Sequence, residues 1–162
     1  MQYSEKYVKQ SDWHNIGNLT TAQAALTTNK SAATVNALTS TGIVVFEAEE
    51  GAVTYEFRFR GDADGDGDVL NLYAMRGAAD HYTLIGTVTV TTGTQTDGTY
   101  YFKDTITLAS EKWGNADDMV EISDAANGIA KLILNTLGYS HFLFIATTLA
   151  GDVVYIDAAR RV

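Results

Sequence analysis

Residues Ala52–Arg60 read AVTYEFRFR, and the architecture follows from them: Val53, Tyr55, Phe57 and Phe59 alternate with Thr54, Glu56, Arg58 and Arg60. A period of two puts the first set on one face of an extended chain and the second on the other, as in a half-buried β-strand. Outward from this stretch, Ile43–Ala48, Val69–Arg76, Tyr82–Thr92, Thr99–Ala109, Met119–Ile122, Ile129–Leu134, His141–Thr148 and Val153–Asp157 share its richness in Val, Ile, Thr, Tyr and Phe, and all are predicted strands. Turn signals separate them: Gly51, Gly61–Asp68, Gly77–Asp80, Gly93–Gly98, Gly114–Asp118, Asn127–Gly128, Gly138 and Gly151–Asp152. Connections this short favour antiparallel neighbours. The expected fold is therefore all-β, an antiparallel two-sheet sandwich of jelly-roll-like form. Gly86, inside the longest strand, predicts a bulge or bend. Asp124–Asn135, DAANGIAKLILN, admits a short helix as well as a strand.

The chain has 162 residues, 46% of them hydrophobic and 19% charged, with no cysteine and no proline. That is enough apolar material for one core, and it excludes disorder of the chain as a whole. Without cysteine there is no disulfide framework, thiolate nucleophile or cysteine-ligated zinc. A net charge of −9 repels nucleic-acid backbones and anionic membranes, so neither is an expected partner. No apolar run approaches the length of a membrane span, and MQYSEKYVKQSDWHN lacks the apolar stretch of a secretory signal; a soluble protein is expected.

Charge divides the chain near residue 41. Residues 1–40 carry three basic and two acidic side chains, while the remainder carries eight basic and eighteen acidic. The reading is an extended polar N-terminal arm over 1–40 and a β-sandwich over 41–162. The arm's large apolar groups, Ile16, Leu19, Leu26, Val35 and Leu38, are too sparse for a core of their own, and a short helix around Thr20–Leu26 would be marginal. Such an arm gains order by docking, and a polar segment lying across a neighbouring subunit buries a wide surface for its length.

The sharpest local motif is Gly61–Asn71, GDADGDGDVLN. Asp62, Asp64 and Asp66 stand at alternate positions, Gly67 permits a sharp turn, and Asp68 offers a backbone carbonyl, which matches the first half of a Ca²⁺ loop. The spacing resembles the calcium half-loop of dockerin modules, but Tyr73 stands where the twelfth-position acid belongs and the flanks read as strands. The competing reading is a solvated acidic hairpin turn. No catalytic constellation emerges. Ser140 and His141 are adjacent, which on a strand sends them to opposite faces, and no G-x-S-x-G elbow accompanies them. Glu47, Glu49 and Glu50 read as a solvated strand end, and Arg160–Arg161 as a small basic end suited to an acidic neighbour. Trp13, Trp113 and the tyrosines suit packing or, alternatively, a sugar-stacking platform.

The stretches FRFRGDADGDGDVLNLYAMRG, DHYTLIGTVTVTTGTQT and TYYFKDTITLASEKWG together resemble tailed-bacteriophage virion structural proteins of the small β-sandwich kind. The resemblance implies a non-enzymatic capsid decoration, cement or head-to-tail accessory protein, located in the virion and assembled in the host bacterial cytoplasm. Its expected partners are capsid or tail subunits and further copies of itself. A calcium-dependent carbohydrate-binding module is the alternative from another class.

Overall fold

The computed structural model of this chain describes residues 13–24, 40–49, 54–61, 67–77, 81–96, 99–108, 120–123, 131–136, 138–150 and 153–161. Among the described residues ten strands follow in order: β1 (His14–Leu19), β2 (Ile43–Glu47), β3 (Thr54–Gly61), β4 (Val69–Met75), β5 (Thr83–Thr96), β6 (Thr99–Leu108), β7 (Val120–Ser123), β8 (Lys131–Asn135), β9 (His141–Thr148) and β10 (Val154–Arg161), with a 3₁₀ turn at Ser40–Gly42. Among the described residues no helix is long and apolar enough to cross a membrane.

Strand β3 shows the alternation its sequence demands. Tyr55, Phe57 and Phe59 are buried, and Thr54, Glu56, Arg58 and Arg60 are only half-buried. Its neighbours are β10 on one side and, on the other, β8 along Thr54–Arg58 and β6 at Arg60–Gly61. The pairing is nested: β1 lies beside β10, β2 beside β9, and β3 beside β8, all antiparallel. Among the described strands the first pairs with the last, the second with the second last and the third with the third last. A long two-stranded ribbon rolled on itself does this, and the result is two sheets packed as a jelly roll. One layer holds β1, β10, β3 and β8, with β7 beside β8; the other holds β2, β9, β4 and β5, and β6, paired along β5, links the two by meeting β3 at Arg60–Gly61.

Rings hold the layers together. Phe57 of β3 meets Phe144 of β9 at 5.2 Å between centroids and Phe46 of β2 at 5.4 Å. Leu70, Leu72, Phe142, Val154 and Ile156 fill the rest of this core. Each ring or aliphatic group removed from water here contributes about 1.5–3 kcal/mol. Strand β9 is buried without a break from Phe142 to Ala146. Phe142 and Phe144 enter the main core, while Leu143 and Ile145 join Tyr73, Met75 and Tyr82 in a second cluster on the other side of the sheet. That explains why FLFIA is continuously apolar where β3 alternates. Gly86 does mark a bend: the β4–β5 register slips beside it, between Leu72 and Tyr73.

One expectation needs correction. The body begins at β1, not at residue 41. His14–Leu19 pairs with Ala158–Val154, Leu19 is completely buried, and the Gln23 amide donates to the Ala146 carbonyl at 2.7 Å. Residues 13–24 thus need no foreign surface to be ordered, and Thr20–Ala24 are not helical. The tie is one of backbone pairing, which needs few large side chains. The rest of the expected arm, residues 1–12 and 25–39, lies outside the described residues. The strand expected at Ile129–Leu134 is present as β8 over Lys131–Asn135, where β3 supplies a complete set of backbone partners, so the alternative of a short helix is not taken there; residues 124–130 lie outside the described residues.

Two glycines make the close approaches possible. A Cβ on Gly17 would sit 2.6 Å from a Val44 methyl carbon, where β1 crosses over β2. One on Gly42 would sit 2.4 Å from the Thr21 carbonyl oxygen, where the first segment lies on the 3₁₀ turn.

Candidate functional site

Strand direction separates the two ends of the sandwich. At one rim β1 and β3 begin and β10 and β2 end; at the other β3 gives way to the acidic loop, β4 begins and β9 ends. The seven residues from Tyr55 to Gly61 set the rims about 20 Å apart.

The first rim carries a groove of about 240 Å³. Three local features open it. On the inner row of β10, Val154 and Ile156 are followed by the small Ala158 and then by Arg160, a charged residue where alternation calls for an apolar one. Arg160 stands directly opposite Tyr55. The β1–β10 register slips between Asn15 and Gly17, and such a bulge re-aims its neighbours, here Ile16 and His14. Ile16, Phe46, Tyr55 and Ala158 form the apolar lining, and His14, Glu49 and Arg160 the polar edge. Phe46 meets Tyr55 edge to face at 4.8 Å. The Glu49 amide donates to the Tyr55 hydroxyl at 3.2 Å, and the Glu49 carboxylate pairs with Arg160 Nη1 at 2.9 Å. The glutamate expected to be a solvated strand end and the basic end expected to seek an acidic partner thus find each other.

Behind this groove, on the outer face of the same sheet, lies an ordered charge cluster. Asp157 is 2% exposed. Its carboxylate accepts from Arg58 Nε at 3.0 Å, from Arg60 Nε at 2.7 Å and Nη2 at 3.1 Å, and more weakly from the Asn15 amide at 3.4 Å. Burial alone would raise its pKa, but the hydrogen bonds and charges of Arg60 and Arg58 outweigh burial and hold it below the ordinary carboxylate value. Trp13 stacks on the Arg58 guanidinium at 4.5 Å and Tyr155 on that of Arg60 at 4.8 Å. The cluster therefore clamps the residue from which the first strand starts.

At the opposite rim Asp68 is fully buried, and its Oδ1 accepts the Ala150 amide at 2.6 Å. This ties the base of the acidic loop to the end of β9. Asp62, Asp64 and Asp66, the other expected Ca²⁺ ligands, lie outside the described residues, as do Glu50 and Trp113. Ser140 and His141 do not diverge as expected. Ser140 precedes β9 instead of lying in it, and its Oγ stands 2.6 Å from His141 Nδ1. The same Oγ accepts the Gly77 amide at 2.8 Å, and the Ser140 amide bonds the Met75 carbonyl, so the hydroxyl fastens a turn.

No family model matches the chain, and no curated protein or solved structure proves similar to it. The fold and the local geometry are what function must be read from. Sequence reasoning did not single out Asp157 or the Tyr55–Arg160 pair. The signals available were the Arg58–Arg60 spacing on the polar face of β3, and the charged Arg160 two places beyond Ala158 on an otherwise apolar row.

Proposed function

We propose that the chain is a non-enzymatic virion structural protein, a capsid decoration, cement or accessory component of a tailed bacteriophage. In this reading its jelly-roll body packs on assembled capsid or tail subunits as part of a homo-oligomer, and residues 1–12 supply the tether. The observation that carries the reading is the root of that tether. Residues transmitting load to a partner need a firm attachment, and β1 has one: it is zipped along β10, ends in the fully buried Leu19, and is preceded by Trp13 stacked on Arg58. The sequence resemblance to small virion sandwiches supplies the class of partner.

The test follows from the corrected boundary. Removing residues 1–40 would take β1 and Leu19 out of the core and confound binding with folding. Removing residues 1–12 leaves both. Full-length and shortened chains are co-sedimented with particles lacking the protein. The shortened chain is expected to keep its melting temperature and lose particle association; unchanged association overturns the tether.

A second reading, calcium-dependent carbohydrate binding, is favoured by one detail. With its side chain turned inward to accept the Ala150 amide, Asp68 fixes the base of the loop whose sequence carries the Asp62, Asp64 and Asp66 spacing. Calcium titration by calorimetry on the wild-type chain and on Asp64→Asn, together with a glycan array, tests it. Chelator-sensitive sugar binding lost in the variant supports this module, and heat-silent titration with no glycan retained refutes it.

A further inference from the structure

The groove at the first rim has a donor set that neither reading of the protein uses. Arg160 meets Glu49 at 2.9 Å through Nη1, and a guanidinium carries five N–H donors in a planar fork. The Tyr55 hydroxyl accepts from the Glu49 amide, and its own proton has no acceptor among the described residues. His14 adds a ring nitrogen at the same edge. The acceptor facing these donors is the Glu49 carboxylate, which is 60% exposed and therefore cheap to swing into water. Beneath them the lining is apolar. An apolar cavity of roughly 150 Å³ takes up a benzene ring, so about 240 Å³ holds one ring and a short chain. Phe46 and Tyr55, already edge to face, offer a third ring the same packing.

We propose that this groove binds a small carboxylate carrying one aromatic ring, the ring resting on Ile16, Phe46 and Ala158 and the carboxylate displacing Glu49 from Arg160 while accepting the Tyr55 proton. Glu49 is then an internal competitor that holds Arg160 in place when the groove is empty. Arg160 projects from the inner row opposite Tyr55, so both donors reach the same side of the sheet. The geometry suits bidentate recognition, which a lysine cannot reproduce. The proposal is independent of the virion reading, because the tether deletion leaves every residue of the groove in place.

The test is a titration of the full chain with 3-phenylpropionate, followed by protein-observed NMR, beside 3-phenylpropan-1-ol, which has the same ring and chain without the charge. For a ligand of this size a dissociation constant of about a millimolar is expected. The alcohol should bind at least about tenfold more weakly, since charge-assisted bonds are roughly twice as strong as neutral ones. Arg160→Lys should weaken the carboxylate about fivefold to tenfold and leave the alcohol unchanged. Glu49→Gln should tighten the carboxylate by about threefold, an effect no merely structural role of Glu49 produces. Shifted resonances should include the Tyr55 and Ala158 amides. Equal binding of acid and alcohol, a carboxylate affinity indifferent to both variants, or no saturation by either compound would each overturn the proposal.

Discussion

Replacing Asp157 by Asn conserves shape and removes one charge, which makes it the cleanest probe of what holds β1, β3 and β10 together. The wild-type carboxylate accepts three arginine hydrogen bonds at 2.7–3.1 Å. Removing one member of a buried ion pair typically costs about 3–5 kcal/mol, because the partner charges remain without compensation. Arg58 and Arg60 are 20% and 27% exposed, so water recovers part of the loss, and the expected cost is at the lower end, about 3 kcal/mol. For a domain of this size each kcal/mol moves the melting temperature by roughly 2–4 °C, so a drop of about 6–12 °C is expected at pH 7. The pH dependence fixes the mechanism. The native pKa of Asp157 is depressed below its ordinary value of 3.8. Its contribution is therefore complete above 3.8 and is lost as pH falls through the lower native value. The gap between wild type and variant should be constant from pH 7 to about pH 5 and close below 3.8. Thermal melts by circular dichroism at pH 7, 5 and 3 measure it. A drop below about 2 °C at pH 7, or a gap that widens on acidification, would refute the account.

Other outcomes follow from the same geometry. Glu49→Gln breaks an ion pair whose members are 60% and 32% exposed and should change stability by less than about 1 kcal/mol in urea denaturation, in contrast with Asp157. Leu19→Ala should cost about 2–5 kcal/mol despite lying within the polar N-terminal stretch, whereas deletion of residues 1–12 should cost little. Gly42→Ala sets a methyl against a backbone oxygen and should release Thr20–Gln23 from the 3₁₀ turn, seen as faster hydrogen exchange of the Gln23 amide. Asp68→Ala should destabilise the protein with or without calcium, since it removes the acceptor of the Ala150 amide; equal stability in calcium-free buffer would show that this bond holds nothing.

The strands that alternate or run continuously apolar were legible in the sequence, because burial on one face or two leaves a periodic trace. AVTYEFRFR and HFLFIATT are the clear cases: the first is strand from Thr54 onward, Ala52 and Val53 lying outside the described residues, and the second is strand throughout. Strand β1 left no such trace. HNIGNL contains a bulge that breaks its period, and its outward Asn15 and Asn18 face water. Its place is dictated by a partner far along the chain, which local patterning does not encode. The same is true of the groove. Arg160, Glu49, Tyr55 and His14 come from four segments, and only the nested pairing brings them to one rim. Ser140 and His141 were misjudged for a different reason: the rule of opposite faces holds inside a strand, and Ser140 stands one residue outside it.

The nested pairing also sets a schedule for synthesis. Asn15 bonds across 141 residues to Ile156, so β1 leaves the ribosome long before β10, its neighbour in the sheet. Until then its edge is open, and closing so long a loop makes the final zipping of β1 to β10 a slow event. The seam between β1 and β10 thus closes only after all the strands between them have been made.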